Sequence, residues 1–249
     1  MKRCYFICFF LVVASCKKTD IQLTKITANT IAINDSIQPS MKIDSMIAPY
    51  KEKLTAEMQQ VLSYTAKDLL KNDGNLQSTL GNLMVDLCYE IANPVYNKRT
   101  NKSIDFAMLN HGGIRATIAR GKVTKEHAFQ IMPFENELVV VELTGDKVIA
   151  LVDYFIKSQR AHPLSKNVEL TIDKENYDLK INGSTFDKNK SYTILTSDYL
   201  QNGGSKMNFF KNPEKLIKLD YKIRDAIIDY FKKTDTLQTA IDHRVIIKP

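Results

Sequence analysis

The sequence predicts a layered α/β domain, of the mixed α+β kind, because patterns typical of strands and of helices alternate along most of the chain. Residues 138–143, in which four consecutive apolar residues precede Glu142 and Leu143, predict a strand. Directly after it, apolar side chains recur at helical spacing: Val148, Leu151, Val152 and Phe155. Further strands are predicted at residues 168–172, 177–181, 191–195, 216–219 and 245–247. Elements that each have an apolar face must pack in layers, which predicts the fold class.

The first residues have the pattern of a secretory signal. Lys2 and Arg3 precede an uncharged apolar stretch at residues 4–14, which is too short to span a bilayer and predicts a signal peptide over residues 1–15. The Val-Ala-Ser sequence before Cys16 is similar to a bacterial lipoprotein signal, in which cleavage precedes a cysteine that is then acylated. An ordinary signal peptide followed by an incidental cysteine is the alternative. Lipidation of Cys16 predicts a bacterial membrane-anchored lipoprotein that faces the periplasm or cell envelope.

Residues 16–40 are predicted to contain the lipidated cysteine, a tether and a strand region. Residues 17–20 are polar, and apolar residues alternate with polar ones over 21–34, as in one or two half-buried strands. Ser40 is a plausible N-cap for a helix that Pro49 is expected to kink or restart. We expect the apolar side chains of this helix to be core residues: Ile43, Met46, Ile47, Tyr50, Leu54 and Met58. The roughly 230 residues that follow the signal have a length that suits one domain, which we place at residues 41–249.

The later elements have local signals of their own. Residues 71–75 form a predicted loop before a helix that contains Gly81, and Thr124 is placed to cap a short helix through Ile131. Asn182-Gly183 is the strongest turn signal in the chain. A late amphipathic helix is predicted from four apolar residues at helical spacing, Ile223, Ile227, Ile228 and Phe231.

Cysteine content and charge narrow the function classes. Once the signal is removed and Cys16 is acylated, Cys88 alone remains, so no intramolecular disulfide is expected, and its helical position predicts a core thiol. Removing Lys2 and Arg3 lowers the net charge from +7 to +5, because 33 basic residues then face 28 acidic ones. This balance suits anionic ligands or lipid headgroups. No nucleic-acid partner is predicted, because the lysines are scattered among acids and no nucleic-acid-binding module is recognisable.

Two glycine pairs, each placed directly after a strand, are the candidate binding loops. They are the stretches Asn110-His111-Gly112-Gly113-Ile114-Arg115 and Tyr199-Leu200-Gln201-Asn202-Gly203-Gly204-Ser205, after the apolar runs 104–109 and 192–195. Glycine tolerates positive φ and lets a ligand approach the backbone, while Arg115 adds a cation suited to carboxylate or phosphate. These stretches predict a polar rim that accepts anions. Glycine pairs after strands also occur in ordinary turns, so the loops alone leave the function open.

Six segments together resemble the C-terminal domain of the 5'-nucleotidase family in order and spacing. They are Gly81-Asn82-Leu83, the Asn110 to Arg115 stretch, Gly121-Lys122-Val123-Thr124, Met132-Pro133-Phe134-Glu135-Asn136, Leu143-Thr144-Gly145 and Thr196 to Gly204. The resemblance extends from Ile43 to the C-terminus. It implies a layering of helix, sheet, sheet and helix, which periodicity alone cannot give.

The resemblance also implies that this chain binds and does not catalyse. In the full-length family, a separate N-terminal metallophosphoesterase domain holds two metals and supplies the attacking water, and the C-terminal domain binds the nucleoside. The four histidines of this chain lie outside Asp-x-His and Gly-Asn-His-Asp patterns: His111, His127, His162 and His243. The resemblance therefore implies no catalytic residue, metal site or cofactor here, with divalent metals held by a metallophosphoesterase partner.

The family's binding positions can be assigned residue by residue. Phe134 and Tyr199 match two aromatics that sandwich the nucleobase, although both could instead be core or hinge residues. Asn110 and Arg115 match positions at the ribose and phosphate side, and a structural ion pair is the alternative for Arg115. The remaining predicted binding residues belong to the two loops: Gly112, Gly113, Asn202, Gly203, Gly204 and Ser205. We expect His111 to make a loop hydrogen bond and not to act as a general acid.

Two departures from the family pattern concern the ligand. Ser205 stands where the family has an Asp on the ribose hydroxyls, and a neutral hydroxyl accepts a weaker hydrogen bond than a carboxylate does. Residues 74–77 lack the Arg that the family usually has near a Glu in this segment. Compared with the family pattern, this chain therefore lacks one acidic and one cationic binding residue.

Three functions are consistent with the sequence. The first, which we favour, is the nucleotide- or nucleoside-binding half of a split 5'-nucleotidase, which hydrolyses phosphoric monoesters only together with its partner. The second is a stand-alone lipoprotein that binds nucleosides or phosphoesters without turnover. The third is a degenerate interaction lipoprotein.

Overall fold

The computed structural model describes residues 22–174 and 176–248. The predicted signal peptide and Cys16 lie outside the described residues. The helices are α1 (Met41–Met58), α2 (Thr79–Thr100), α3 (Lys125–Ile131), α4 (Gly145–Ser158), α5 (Asp198–Gln201) and α6 (Ile223–Lys233). The strands are β1 (Val61–Thr65), β2 (Phe106–Ala107), β3 (Gly121–Thr124), β4 (Glu137–Thr144), β5 (Val168–Asp173), β6 (Asn176–Ile181), β7 (Ser184–Thr185), β8 (Ser191–Ser197), β9 (Lys215–Lys222), β10 (Thr236–Leu237) and β11 (Val245–Ile247). The chain divides into two compact units, Met1–Ala48 and Pro49–Pro249.

The described part of the first unit contains no strand before helix α1. Residues 22–40 are exposed and unpaired, with Leu23 77% and Ile33 89% exposed. The prediction of half-buried strands at residues 21–34 is therefore wrong over its described part. An alternating pattern favours a strand only where a neighbouring strand supplies hydrogen bonds, and residues 22–40 take part in no strand pairing that the structure describes.

Helix α1 forms where it was predicted and continues through Pro49, but none of its residues is buried. Ile43 is 53%, Ile47 44% and Leu54 57% exposed. The prediction that its apolar residues belong to the core is wrong. Helical spacing shows which side chains share a face, but it does not show whether another element covers that face.

The second unit is built around one sheet with the strand order β2-β8-β4-β9. Strand β4 lies between β8 and β9 and is antiparallel to both, and β2 is parallel to β8. Neighbouring residues of β4 enter different cores, since Val140 packs with α2 and α6 while Val141 packs with α4 and β5. A strand buried on both faces reads as a continuous apolar run, which explains the four consecutive apolar residues at 138–141.

Two smaller sheets complete the described fold. Strand β1 pairs with β3 and β10, and the order β11-β5-β6-β7 forms the other sheet, with β11 at its edge. The mixed α/β prediction is confirmed. The predicted turn is present between β6 and β7, where Asn182 and Gly183 have φ of 51° and 73°, as a tight hairpin turn requires.

Several local predictions are confirmed inside this unit. Helix α2 begins at Thr79, and the hydroxyl of Ser78 accepts the Gly81 N–H at 3.0 Å. Thr124 precedes α3, and its backbone N–H donates to Nδ1 of His127 at 3.0 Å. Cys88 is fully buried on α2, and burial raises the pKa of its thiol to about 12, so it is a core thiol. No described helix is both long and apolar enough to cross a membrane.

Candidate functional site

The sheet topology brings the three predicted binding segments to one edge. The loop that begins at Asn110 follows β2, and the loop that begins at Tyr199 follows β8. Because β2 and β8 are parallel, their carboxyl ends lie at the same edge of the sheet. Strand β4 is antiparallel to β8, with Leu138 opposite Ser197, so the residues just before β4 also lie there. The edge of a sheet beyond the carboxyl ends of its parallel strands is a usual place for a ligand site.

The first loop contains a short 3-10 turn at His111–Gly113 that Asn110 precedes. The Gly113 N–H donates to the carbonyl of Asn110 at 3.0 Å. A Cβ on Gly113 would lie 2.9 Å from the side-chain oxygen of Asn110, so glycine makes room for that amide. Gly112 and Gly113 do not adopt the positive φ that glycine tolerates, since the described glycines with positive φ are Gly121, Gly183 and Gly203.

The second loop is shaped around the ring of Tyr199. Helix α5 begins with the Leu200 N–H donating to the Ser197 hydroxyl at 3.2 Å, and Gly203 then reverses the chain with φ of 87°. A Cβ on Gly204 would lie 2.5 Å from the Tyr199 ring. Gly204 is therefore needed for contact with the ring and not for an unusual φ.

Ser205 connects the two loops. Its hydroxyl accepts from the amide of Asn110 at 3.1 Å, and its N–H donates to the Tyr199 hydroxyl at 3.1 Å. Its carbonyl accepts from the hydroxyl of Tyr154 at 2.8 Å. Ser205 has φ of 53°, which is uncommon for a residue with a side chain, and these three bonds hold it there.

A cavity of about 300 Å³ lies between the loops. It is lined by Asn110, Gly112, Gly113, Arg115, Phe134, Asn136, Tyr199 and Ser205. Phe134 is 40% and Tyr199 46% exposed, so neither ring is a core residue. Asn202, Gly203 and Gly204 line an adjoining cavity together with Asn136, Asp198 and Tyr199. The predicted binding residues thus fall into two connected groups, and their roles in binding stay predictions.

Among the side chains that line the 300 Å³ cavity, only that of Arg115 carries a formal charge. The carbon of its guanidinium group lies 5.7 Å from the centroid of the Phe134 ring, and Nη1 is 3.4 Å from the carbonyl of Gly112. Lys71 lies nearby and donates to the carbonyl of Ile114 at 2.7 Å. Burial and, next, the charge of Arg115 lower the pKa of Lys71. This side of the cavity is therefore electropositive.

The segment that contains Phe134 is held from behind by Arg224. This guanidinium donates to the carbonyls of Met132 and Phe134, at 3.4 Å each, and forms an ion pair with Glu135. Hydrogen bonds from Lys222 and then Arg224 lower the pKa of Glu135 to about 2. The exposed ring of Phe134 is thus carried by a backbone that its neighbours fix in place.

His111 makes loop contacts, as expected. Its ring Nε2 is 2.7 Å from the side-chain oxygen of Asn72. The backbone N–H of His111 donates to Nδ1 of His162 at 3.2 Å. His162 is 4% exposed, and burial, followed by the charges of His111 and Arg160, lowers its pKa to about 4. Both contacts give the ring and backbone of His111 a structural role.

Sequence reasoning missed three residues of the site. Asn136 lines both cavities, and its position two residues after Phe134 could have identified it. Tyr154 and His162 each form a hydrogen bond to the backbone of one loop, and their ring centroids lie 5.5 Å apart. No local signal points to them, because their partners are distant in the sequence. No group of three or more His, Cys, Asp or Glu side chains placed to hold a metal ion occurs among residues 22–174 and 176–248.

Comparisons with known proteins agree on one domain type. The family model described as 5'-nucleotidase, C-terminal domain matches residues 60–212. A cell wall protein of Listeria monocytogenes is 25% identical over 232 residues, which cover 84% of this chain and 28% of that protein. Protein UshA of Escherichia coli is 23% identical over 213 residues, which cover 82% of this chain and 37% of UshA.

A solved structure supports the same fold. The 5'-nucleotidase precursor of Thermus thermophilus matches with a TM-score of 0.67 at 21% identity, over 83% of this chain and 43% of the other. The chain therefore spans 28%, 37% and 43% of these three proteins, less than half the length of each.

Proposed function

The chain belongs to the family of 5'-nucleotidase C-terminal domains, and from that premise we propose that it is the nucleotide- or nucleoside-binding half of a split 5'-nucleotidase that acts in nucleotide catabolism. One observation carries the proposal: two half-exposed aromatic rings and one arginine line the same cavity of about 300 Å³. A flat base, a sugar and a phosphate are the chemical groups that such a set of side chains suits.

The proposed binding uses ordinary interactions. A base that stacks on Phe134 and Tyr199 gains about 1–3 kcal/mol per aromatic contact. The guanidinium of Arg115 offers a planar pair of donors to a phosphate. The amides of Asn110 and Asn136 and the hydroxyl of Ser205 supply neutral donors and acceptors for the base edge and sugar.

A separate metallophosphoesterase is proposed as the partner. A metallophosphoesterase hydrolyses a phosphoric monoester with divalent metals that activate water and stabilise the leaving oxygen. The residues that we assign to this chain are binding residues. We therefore place the metals on the partner, and we expect the isolated chain to bind but not to hydrolyse.

Membrane attachment through Cys16 is part of the proposal. An acylated cysteine next to a short polar tether would hold the domain at a bacterial membrane, facing the periplasm or cell envelope. Metabolic labelling with a fatty acid tests this: the wild-type chain should incorporate label and the Cys16→Ala variant should not. Equal labelling of the two chains would contradict the assignment.

Calorimetry with AMP and adenosine tests the binding site. Phe134→Ala and Tyr199→Ala should each weaken binding by about fivefold to a hundredfold, and the double variant should show no measurable binding. Tyr64→Ala is the matched control, because Tyr64 is 44% exposed, lies on strand β1 and does not line the cavity. Unchanged binding by the double variant would remove both rings from the site.

A phosphatase assay separates the split enzyme from a stand-alone binding protein. AMP and a divalent metal are supplied to the purified chain alone, to a metallophosphoesterase alone, and to the mixture. The split-enzyme proposal predicts that the mixture turns over AMP faster than the two parts assayed separately. Binding without any effect on turnover would favour the stand-alone lipoprotein, and activity of the chain alone would contradict the proposal.

A further inference from the structure

Ser205 contacts one cavity-lining side chain in each loop. Its backbone N–H donates to the hydroxyl of Tyr199, and its own hydroxyl accepts from the amide of Asn110, each at 3.1 Å. A rotation of Ser205 would therefore disturb the Tyr199 ring in the second loop and the Asn110 amide in the first. Its φ of 53° is uncommon for a residue with a side chain, and such a conformation persists only where surrounding contacts hold it.

A further contact of Ser205 comes from a residue outside the cavity. Tyr154, on helix α4, donates its hydroxyl to the carbonyl of Ser205 at 2.8 Å. Packing fixes the Tyr154 ring, since its centroid lies 5.6 Å from that of Phe209 and 5.5 Å from that of His162. Tyr154 does not line the cavity of about 300 Å³, so an effect of its hydroxyl on a ligand there must pass through Ser205.

The ring next to Tyr154 holds the first loop. Nδ1 of His162 accepts the backbone N–H of His111, the residue that follows Asn110. Nε2 of His162 is buried without a hydrogen-bond partner in the part of the chain that the structure describes, so the bond to His111 is the polar contact that orients this ring. The contact between the Tyr154 and His162 rings thus connects the two loops by a second route, besides the direct bond between Asn110 and Ser205.

We infer that Tyr154 is a positioning residue for ligand binding: through the carbonyl of Ser205 it holds the Tyr199 ring and the Asn110 amide at the spacing that the ligand requires. The inference rests on the proposed function and adds to it a residue that does not touch the ligand. Stacking depends on the placement of the ring, and hydrogen bonding on the direction of the amide. A binding site is effective only when the residues behind it fix both. Loss of the Tyr154 hydroxyl therefore lowers affinity whether or not the ligand carries a phosphate.

Removal of one hydroxyl group tests the inference by calorimetry. Tyr154→Phe keeps the packed ring and loses the bond to Ser205, so AMP and adenosine should each bind about threefold to tenfold more weakly. Tyr89→Phe is the matched control, because the Tyr89 hydroxyl also donates to a backbone carbonyl, that of Ile104, at 2.9 Å, and Tyr89 does not line the cavity. Each variant loses one such bond, so urea unfolding should show similar losses of stability. Only Tyr154→Phe should lose affinity.

A spectroscopic readout follows the same route without a ligand. In Tyr154→Phe, the NMR resonances of the Ser205 backbone N–H and the Asn110 side-chain amide should both move, because Ser205 is no longer held at its carbonyl. In Tyr89→Phe, both resonances should keep their wild-type positions. Unmoved resonances in Tyr154→Phe would contradict the positioning role, even if that variant bound AMP more weakly.

The binding results separate this inference from the proposed function. If Tyr154→Phe binds AMP as tightly as the wild-type chain does, or if Tyr89→Phe weakens binding equally, the inference is contradicted and the proposed function stands. If the wild-type chain binds neither AMP nor adenosine, both are contradicted.

Discussion

Gly204 and Gly112 show at the residue scale that glycines in similar loops have different roles. Gly204 has no positive φ, yet a Cβ there would lie 2.5 Å from the Tyr199 ring. Gly112 also lacks a positive φ, and a Cβ there would make an ordinary contact of 3.5 Å with the amide of Asn110. The first glycine therefore sets the position of an aromatic ring, and the second does not.

These two glycines give a matched pair of substitutions. Gly204→Ala should move the Tyr199 ring and weaken AMP binding about tenfold, because a base can no longer stack on it in place. Gly112→Ala should keep the affinity within about twofold, since nothing must move. Calorimetry measures both, and equal affinities in the two variants would show that Tyr199 does not contact the ligand.

His162 acts on the site through the backbone of the first loop. Its Nδ1 accepts the His111 N–H, which requires that nitrogen to be unprotonated. Burial lowers the pKa of His162 to about 4 from an ordinary value of 6.5, so the folded state favours the neutral ring. In the unfolded chain the ring takes up its proton at a higher pH than in the folded one.

Stability should therefore depend on pH through His162. The contribution of neutral His162 to the free energy of unfolding is complete above pH 6.5. It is lost as the pH falls from 6.5 towards 4, by up to about 3 kcal/mol. His162→Gln keeps an acceptor for the His111 N–H and cannot be protonated, so its unfolding free energy should fall less over this range. Urea unfolding at several pH values tests this, and parallel pH profiles for the two proteins would contradict the assignment.

At the residue scale, the sequence predicts side chains that line the cavity but not the side chains that hold the two loops in place. Phe134, Tyr199 and Arg115 lie in segments with local signals, and the structure brings them to one cavity. Tyr154 and His162 act on residues 51 positions away in the sequence, through single hydrogen bonds. Which residues Tyr154 and His162 contact depends on how α4 and the chain after it pack against the loops. Local sequence patterns do not encode this packing.

Helices α1 and α2 differ at the element scale, although their sequences show similar apolar spacing. Helix α2 buries Leu80, Met84 and Leu87 against the central sheet and α6. Helix α1 buries none of its residues, and an ion pair between Glu57 and Lys125 ties its last turn to α3. Apolar spacing alone therefore does not predict which helix contributes to stability.

Two substitutions compare these helices directly. Ile47→Ala in α1 should change the free energy of unfolding by less than about 0.5 kcal/mol, because Ile47 is 44% exposed. Met84→Ala in α2 should cost about 2–5 kcal/mol, because Met84 is fully buried and its removal leaves a cavity. Urea unfolding measures both, and a large cost for Ile47→Ala would show that another surface covers α1.

Elements with two consistent signals were predicted well. Strand β4 combines an apolar run with a following turn and helix, and α6 combines a strand before it with a clear apolar face. Residues 21–34 had only alternation, and their described part is an exposed segment. A strand needs a neighbour, and the sequence of one segment does not show whether a neighbour is available.

At the scale of the whole molecule, sheet topology is what assembles the site. The parallel pairing of β2 with β8 puts both glycine loops at one edge, and the antiparallel pairing of β4 brings Phe134 to the same edge. Strand order of this kind comes from long-range pairing, so the sequence could supply it only through the family resemblance. The function proposed for this edge requires that the gap there accepts a flat anionic ligand between the rings of Phe134 and Tyr199.

A crystal structure of the chain with bound AMP is the most direct test of that claim. We predict that the adenine ring lies between Phe134 and Tyr199 and that the guanidinium of Arg115 contacts the phosphate. AMP bound elsewhere, or an empty gap at saturating AMP, would contradict it.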